Sequence, residues 1–389
     1  MGLSILMVAA CPFPSRRGTP LRVQRLAEAL IRRGHRVEIA TYAVAEVAEE
    51  TGLVVRRAGR PEVRPMPPGP NWRKLLLDPR LARLIGRRLR EGRFDLVHAH
   101  HVEGVFVSAA ACRRHRLPLV YDAHTLVGTE LPTFAPRLAR PLSLLGGLVD
   151  RLACRLADGV LAVTPDIRDA LVNRLGVAAD RAVVAMNGVE IEIFRAADVE
   201  PEPATVFYSG TTAGYQDLDL LLRAFARARR EATELRLVLS LSGDDSQLKA
   251  LAGELGIADA LTIVADSFAR LPDRLARAAI VVLPRTHCDG IPQKLLNYMA
   301  AARPVVVSAG SAKIGRHGEE LLVVPNGDVA AFAAAILRLH RDPALAERLG
   351  AAARRFVEAR CSWEATAIGA EGLYARLLAP AADPAVTGG

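Results

Sequence analysis

The sequence predicts an α/β protein made of two domains, each built around a parallel β-sheet. Its 389 residues exceed the usual size of one domain, and 51% of them are hydrophobic, enough for two cores. Short apolar runs alternate with amphipathic helical segments, starting at Ile5 and starting again at Val206. The acidic, proline-bearing stretch D-V-E-P-E-P at 198–203 separates the two series and is typical of a linker.

The first series opens with a strand–loop–helix–strand unit. A strand is predicted over 5–10, a loop contains Gly18 and Thr19, and a helix follows over 21–33. Gly34 ends that helix before a strand over 37–41, which is the unit from which parallel sheets are built. Further strands are predicted at 94–98, 119–122 and 160–163.

The charge of the chain is concentrated in its first half. Residues 1–190 carry 29 Lys and Arg against 18 Asp and Glu, a net charge of +11, while the remainder carries −2. A basic half favours an anionic partner, either a membrane surface or a phosphorylated substrate. The chain has no zinc-finger spacing, no arginine-rich tail and no alternation of basic and aromatic residues, so nucleic acid is not an expected partner.

The five cysteines are scattered without the spacing of disulfide or metal frameworks, which indicates a reduced, cytoplasmic setting. Residues 4–10 are too short for a signal peptide, and no apolar run reaches the roughly 18–20 residues of a spanning helix. The expected location is therefore the cytoplasm, with peripheral attachment to the inner face of the cell membrane as an added hypothesis.

Two segments bear on that hypothesis. Between 55 and 93, leucines and Trp72 alternate with arginines, which predicts basic amphipathic helices broken near Pro79. These helices either attach to an anionic membrane or pack their leucines on the sheet. A second segment, 142–157, is apolar but interrupted by Asp150, Arg151 and Arg155, so it is expected to be a buried or docking helix.

The most informative stretch is 281–308, which is predicted to form a strand, a loop, a helix, a turn and a strand. A glycine-containing loop that opens a helix presents backbone N–H groups at the positive end of the helix dipole and is suited to a phosphate. The polar residues Asp289, Lys294 and Asn297 surround this anion site.

In the first half, polar residues follow two predicted strands. His98, His100 and His101 invite a metal hypothesis, but strand geometry puts only i and i+2 on one face and offers no fourth ligand. These histidines are therefore expected to line a cleft, and no metal is expected. His124 and Glu130 follow the strand at 119–122. Asp244 and Asp245 are interpreted as a surface turn and not as metal ligands.

Several of these motifs together resemble glycosyltransferase family 4. They are R-R-G-T at 16–19 with R-G-H at 33–35, Y-D-A-H at 121–124, N-G-V-E at 187–190, G-T-T-A-G at 210–214, D-G-I-P-Q-K-L-L-N-Y-M-A at 289–300 and V-V-P-N-G-D at 323–328. The resemblance implies the GT-B fold, with two Rossmann-like domains facing across a cleft. It places an acceptor domain at 1–197 with a returning helix at about 362–379 and a donor domain at 204–361. Residues 380–389 are rich in Ala, Pro and Gly and are expected to form a disordered tail.

The resemblance implies a retaining, metal-independent transferase that moves a sugar from a UDP- or GDP-sugar to a hydroxyl, without a cofactor. With the basic first half, the expected acceptor is a glycan or a lipid-linked sugar of cell-envelope polysaccharide, lipopolysaccharide or glycolipid biosynthesis. The leaving diphosphate takes the proton of the incoming hydroxyl, so the protein mainly positions the reactants and stabilises charge.

The resemblance also assigns site residues. The catalytic candidates are His124, beneath the transferred sugar, and Asp289, on the sugar hydroxyls. Asn297 is assigned to the ribose, and the acceptor side contains His100, His101 and Glu130. The donor-binding candidates are Gly18, Thr19, Gly210, Thr211, Gln216, Arg285, Gly290, Ile291, Pro292, Lys294, Leu295 and Asn297.

Three positions depart from the family pattern. Thr211 and Gln216 stand where many members have Arg and Lys, and Asn297 replaces a Glu. A bound diphosphate still requires a cation, which Lys294 or Arg285 is expected to supply. Two alternatives stay open, namely a catalytically weak binding subunit of the same fold and a nucleotide-sugar epimerase of the GT-B fold.

Overall fold

A computed structural model describes residues 2–15, 18–46, 51–63, 73–194, 201–265, 268–288 and 290–379. The predicted tail at 380–389 lies outside these residues, as do Arg16, Arg17, Trp72 and Asp289. The chain divides into two compact units. Unit 1 contains Met1–Met186 and Trp363–Gly389, and unit 2 contains Asn187–Ser362.

Unit 1 is built on a seven-stranded sheet in the order β4-β2-β1-β6-β7-β8-β9, in which every pairing is parallel. Its strands are β1 Ser4–Ala9, β2 Arg36–Thr41, β3 Val44–Ala45, β4 Val54–Arg57, β5 Glu62–Val63, β6 Leu96–His100, β7 Leu119–Ala123, β8 Gly159–Ala162 and β9 Ala182–Val184; β3 and β5 form a separate pair. Its first six helices are α1 Gly18–Arg32, α2 Lys74–Glu91, α3 His101–His115, α4 Val127–Phe134, α5 Ala139–Leu156 and α6 Pro165–Asn173.

Unit 2 repeats the alternation around a six-stranded parallel sheet in the order β12-β11-β10-β13-β14-β15. Its strands are β10 Thr205–Thr211, β11 Arg236–Ser242, β12 Leu261–Val264, β13 Ile280–Leu283, β14 Val305–Ser308 and β15 Leu322–Val324. Its helices are α7 Leu218–Arg229, α8 Ser246–Glu254, α9 Leu271–Arg277, α10 Gln293–Ala300, α11 Val329–Arg341 and α12 Pro343–Arg360. The last helix, α13 Trp363–Leu378, belongs to unit 1.

The division between the units falls at Met186–Asn187, before the end at 197 that the sequence predicts. The segment after it is tied to unit 2, since the Val189 amide donates to the Cys361 carbonyl at 2.7 Å. The Phe194 carbonyl likewise accepts from Arg354 at 2.7 Å. The pairing of Val189 with Ser362 separates α12 from α13, and α13 lies within the returning helix expected at about 362–379.

The sheet of unit 1 is covered on both faces. Leu6 and Val8 of β1 point into a core shared with α2, α3 and α5, while Ile5 and Met7 point into the core beneath α1 and α13. This period of two follows from the strand pleat, and burial on both faces explains why β1, β6, β7 and β8 are continuous apolar or buried runs.

The predicted break at Pro79 is wrong, because α2 is one helix with Pro79 inside it. Leu81, Leu84 and Leu89 are buried in the core. Burying each leucine side chain contributes roughly 1.5–3 kcal/mol, which together outweighs the backbone hydrogen bond that one proline removes. The leucines of α2 therefore pack on the sheet. Among the helices of the described residues, none combines the length and apolarity that crossing a bilayer requires.

Candidate functional site

The strand orders place a crevice in each unit. In unit 1, β1 lies between β2 and β6 in the sheet. The connections that follow β1 and β6 therefore run in opposite directions across the sheet, and a crevice opens between them at the carboxyl ends of these two strands. In unit 2, β10 lies between β11 and β13 in the same way. The residues that follow these four strands are the candidate ligand contacts.

Unit 1 contains a cavity of about 620 Å³ at this position. Its floor includes Thr19 after β1, His101 after β6 and His124 after β7. The walls combine apolar side chains with carboxylates. They include Phe106, Leu131, Phe134, Val149, Glu46, Glu103 and Glu130. The topology and the cavity therefore bring together Gly18, Thr19, His101, His124 and Glu130 from the sequence analysis.

His124 is held by neighbours on both of its ring nitrogens. Its Nδ1 lies 3.3 Å from the Thr19 hydroxyl, and its Nε2 lies 3.1 Å from Nδ1 of His100. Burial lowers the pKa of His124 well below its usual range, against the attraction of Asp122. A neutral imidazole at the cavity floor can exchange a hydrogen bond with a substrate hydroxyl without adding charge.

His101 lines the cavity, whereas His100 lies behind the cavity wall. The Nε2 atom of His101 lies 2.7 Å from the Thr19 hydroxyl, and its ring lines the cavity beside His124. His100 is only 1% exposed and lies behind His124, and burial lowers its pKa to about 4. The structure thus gives His100 a supporting position behind the cavity wall. Glu130 lines the cavity and accepts from the Thr125 hydroxyl at 2.6 Å.

Beneath the histidines lies a buried ion pair. Arg22 donates to both oxygens of Asp122, at 2.8 and 3.1 Å, and both side chains are at most 1% exposed. Burial raises the Asp122 pKa, but the Arg22 guanidinium more than offsets this and holds that pKa well below its usual range. The ionised carboxylate lies 3.2 Å from His100 Nδ1 and 3.3 Å from His98 Nε2, so it fixes the imidazoles from below.

The donor atoms of His98, His100 and Asp122 lie within 4.8 Å of one another, so distance alone permits a metal ion. The sequence analysis did not foresee Asp122 as a third donor. However, Arg22 already occupies both Asp122 oxygens, and His98 Nδ1 is 2.5 Å from the Tyr374 hydroxyl. The guanidinium charge opposes a second cation at this carboxylate, so the donor set does not fit a resident metal ion.

The crevice of unit 2 is organised around Lys294, which projects from the first turn of α10. Its ammonium donates to the Tyr208 hydroxyl at 2.8 Å and to Gln216 Oε1 at 3.0 Å. Gln216 stands at the position where the family resemblance implies a lysine. Lys294 therefore brings a positive charge from a different element to the place left uncharged by Gln216.

Burial lowers the pKa of Lys294 to about 7, and repulsion from Arg285 adds to this effect. An ammonium at such a site is destabilised until an anion arrives, which makes it a strong partner for phosphate. Gly210 gives the ammonium its room, because a Cβ there would lie 2.5 Å from Lys294 Nζ. The glycine near the end of β10 thus leaves the space in which the Lys294 ammonium and the Tyr208 hydroxyl lie.

A second cation lies on the same rim. The Arg285 guanidinium stacks over the Tyr215 ring at 4.8 Å, and its Nε donates to the His287 carbonyl at 2.5 Å. The loop that carries it is fixed by Asp217, which accepts from the amide and the hydroxyl of Thr286, both at 2.7 Å. Arg285 is thereby presented at the carboxyl end of β13.

The helix predicted to bind the phosphate is α10, which begins after Pro292 and runs over eight residues. Gly290, Ile291 and Pro292 form the loop that leads into it, and Leu295 and Asn297 are buried within it. Thr211 is exposed at the end of β10. Asp289 lies outside the described residues, so its catalytic role stays a prediction.

Two parts of the site escaped the sequence analysis. Tyr208, which contacts Lys294, is a strand residue two positions before Gly210 and gave no motif. Arg22 did leave a signal, because it shares the face of α1 that carries Leu26, Ala29 and Leu30. A charged residue on an apolar helix face indicates a buried partner, but the sequence did not show that the partner is Asp122.

Comparison with known proteins identifies the family of the chain. Residues 17–193 match the profile of Glycosyltransferase Family 4, and residues 203–342 match that of Glycosyl transferases group 1. The D-inositol 3-phosphate glycosyltransferase of Acidothermus cellulolyticus is 31% identical over 315 residues, which cover 74% of this chain and 68% of the relative. The protein of that name from Geodermatophilus obscurus is 29% identical over 378 residues, covering 90% of this chain and 82% of the relative.

Solved structures share the fold over nearly the whole chain. Sucrose-phosphate synthase from Thermosynechococcus elongatus superimposes with a TM-score of 0.76 at 21% identity, covering 96% of this chain and 99% of the other. Anabaena HepE, solved in complex with UDP, superimposes with a TM-score of 0.73 at 17% identity, covering 95% and 98%. The α/β architecture is thus that of GT-B glycosyltransferases, and the chain belongs to glycosyltransferase family 4 and is a glycosyltransferase.

Proposed function

We propose that this protein transfers a sugar, with retention of anomeric configuration, from a nucleotide diphosphate sugar to a hydroxyl acceptor of envelope glycan or glycolipid biosynthesis. The observation that carries the proposal is the placement of Lys294, whose ammonium reaches Tyr208 and Gln216 in the crevice of unit 2. HepE structures contain UDP and UDP-glucose, which supports a uridine or similar nucleotide donor for this chain.

In this proposal the diphosphate is bound by Lys294, Arg285 and the backbone amides at the start of α10. Lys294 and the helix dipole stabilise the negative charge that grows on the diphosphate as the glycosidic bond breaks. The departing phosphate oxygen takes the proton of the incoming hydroxyl, so no protein nucleophile is needed. Asp289 contacts sugar hydroxyls, and Asn297 contacts the ribose as a neutral hydrogen-bonding group.

Unit 1 is proposed to bind the acceptor. The neutral His124 hydrogen-bonds a hydroxyl at the cavity floor, and Asp122 with His100 holds its ring in place. The cavity pairs apolar walls with Glu46, Glu103 and Glu130, a combination suited to sugar hydroxyls and an apolar portion of the acceptor. His101 and Glu130 are the further acceptor contacts.

The test is an incubation of the purified protein with UDP-glucose and GDP-mannose, with and without soluble glycoside acceptors, followed by mass spectrometry. A product heavier than the acceptor by one hexose, with the donor's anomeric configuration by NMR, is expected. Binding of nucleotide sugar without transfer to any acceptor would favour the binding subunit. Conversion of the donor without acceptor to an epimeric sugar would favour the epimerase.

The depressed pKa of Lys294 predicts a pH dependence for donor binding. Below pH 7 the ammonium is charged in the free protein, so affinity for UDP-glucose changes little with pH through this group. Above pH 7 binding must first protonate Lys294, so Kd should rise by up to about tenfold per pH unit. Calorimetric titration between pH 6 and 9 measures this slope, and Lys294→Ala should flatten it. An equal slope in both proteins would contradict the assignment.

A further inference from the structure

Helix α5 exposes a row of leucines that no other part of the described chain covers. Leu144, Leu148 and Leu152 are 74%, 61% and 51% exposed, and Leu145 beside them is 54% exposed. A spacing of four residues puts the first three along one stripe of the helix. The sequence analysis predicted that α5 is either a buried or a docking helix. Its exposed leucines favour a docking helix.

The same face is uniformly basic. Arg137, Arg140, Arg151 and Arg155 are exposed around the leucines, and no ion pair among the described residues neutralises them. Residues 131–157 contain one acidic residue, Asp150, which is buried and accepts from the amides of Val127 and Gly128 at 2.9 Å. The surface therefore offers apolar side chains and positive charge without exposed negative charge.

Neighbouring helices extend this charge. α3 packs against both α2 and α5, so the three helices form one layer over the sheet. The outer surface of α2 exposes Arg80, Arg83 and Arg87, and α3 exposes Arg113 and Arg114. A second copy of the chain is a poor occupant for α5, because a two-fold contact would oppose arginines with arginines.

The exposed row is continuous with the acceptor cavity. Phe134, at the end of α4, lines the cavity and is itself 51% exposed, and Leu138, which follows it, is 57% exposed. α4 packs along α5, so an apolar path leads from the leucine row to the cavity wall. A substrate with its head in the cavity and its hydrocarbon chain along this path would match both surfaces.

We propose that the exposed face of α5, with Phe134 and Leu138, docks on an anionic lipid surface, and that the acceptor is a lipid-linked sugar that enters the cavity from that surface. The second part rests on the proposed function, whereas the docking itself does not. Leucines enter the interface between headgroups and acyl chains, and the flanking arginines attract anionic headgroups. The lipid surface thus lies on unit 1, and α5 makes the apolar contact.

The experiment is co-sedimentation of the full chain with vesicles of phosphatidylglycerol and phosphatidylethanolamine, and with vesicles of phosphatidylcholine alone. Binding to the anionic vesicles is expected, with weaker binding to the zwitterionic ones. The double variant Leu144→Asp/Leu148→Asp should reduce binding by at least about tenfold. The matched control Ile368→Asp changes an exposed residue of α13, in the helix layer on the opposite face of the sheet, and should bind like the unchanged chain.

An assay of sugar transfer to a soluble acceptor distinguishes failure of the docking proposal from failure of the proposed function. Transfer that persists while anionic vesicles are not bound would overturn the docking proposal alone. Absence of all transfer would instead count against the proposed function, and vesicle binding would still stand as a result. A concentration-dependent dimer that the leucine variant abolishes, together with vesicle binding that the variant leaves unchanged, would assign the face to a second copy and overturn the proposal.

Discussion

Replacing Lys294 by alanine is expected to raise the Kd for UDP-glucose by about 10- to 100-fold. The ammonium makes hydrogen bonds to Tyr208 and Gln216 at 2.8 and 3.0 Å in a mostly buried site, and the diphosphate would replace or join these partners. Losing a hydrogen bond to a charged group costs roughly 1.5–3 kcal/mol, and each 1.4 kcal/mol is about tenfold in Kd. Isothermal titration calorimetry measures the change.

Two variants of unit 2, Asp244→Ala and Lys249→Ala, serve as controls. Asp244 lies on a surface turn, where it accepts from the Ser246 amide at 3.0 Å. Lys249 is a solvent-exposed lysine of α8, so Lys249→Ala removes the same charge away from the crevice. Both variants should bind UDP-glucose within about twofold of the unchanged chain, since exposed charges contribute little. An equal loss of affinity in Lys294→Ala and Lys249→Ala would remove Lys294 from the donor site.

Replacing Arg22 by methionine is expected to lower the free energy of unfolding of unit 1 by about 3–5 kcal/mol. The substitution leaves Asp122 charged and buried, with only imidazoles as neighbours, and an uncompensated buried charge costs this much. Trp363 is buried in the core of unit 1 beneath α1 and α13, so its fluorescence follows the unfolding of this unit in urea. The urea midpoint measures the loss.

The matched control is Arg33, which pairs with Glu364 and Glu371 but is 30% exposed. Arg33→Met should shift the urea midpoint much less than Arg22→Met, because exposed pairs contribute little. The double variant Arg22→Met/Asp122→Asn should be more stable than Arg22→Met, because no charge is then left buried. Equal urea midpoints for Arg22→Met and Arg33→Met would show that the Arg22–Asp122 pair does not stabilise unit 1 as described.

The fold was accessible from the sequence because strands buried on both faces appear as apolar runs. The strand that opens the stretch at 281 was located within one residue for this reason, since β13 spans Ile280–Leu283. Pro79 misled the prediction, since local propensity favoured a break and packing of the α2 leucines overrode it. The first unit ends at Met186 and not at residue 197, because residues 187–194 hydrogen-bond to distant parts of unit 2.

Candidate site residues could be proposed from the sequence where one local motif contains them, as at Lys294 and His124. The sequence did not show the contacts between residues that are far apart in the chain. The Arg22–Asp122 pair joins positions 100 residues apart, and the sequence analysis counted neither residue as part of the site. That Lys294 reaches Gln216, across 78 residues, follows from the geometry of β10 and α10 and not from any spacing.

A crystal structure of this protein with UDP-glucose tests the central claim most directly. The account predicts that a diphosphate oxygen lies within about 3 Å of Lys294 Nζ, with further contacts to the backbone amides that open α10. The ribose should lie near Asn297. A diphosphate bound elsewhere, with the Lys294 ammonium still hydrogen-bonded to Tyr208 and Gln216 alone, would contradict the account.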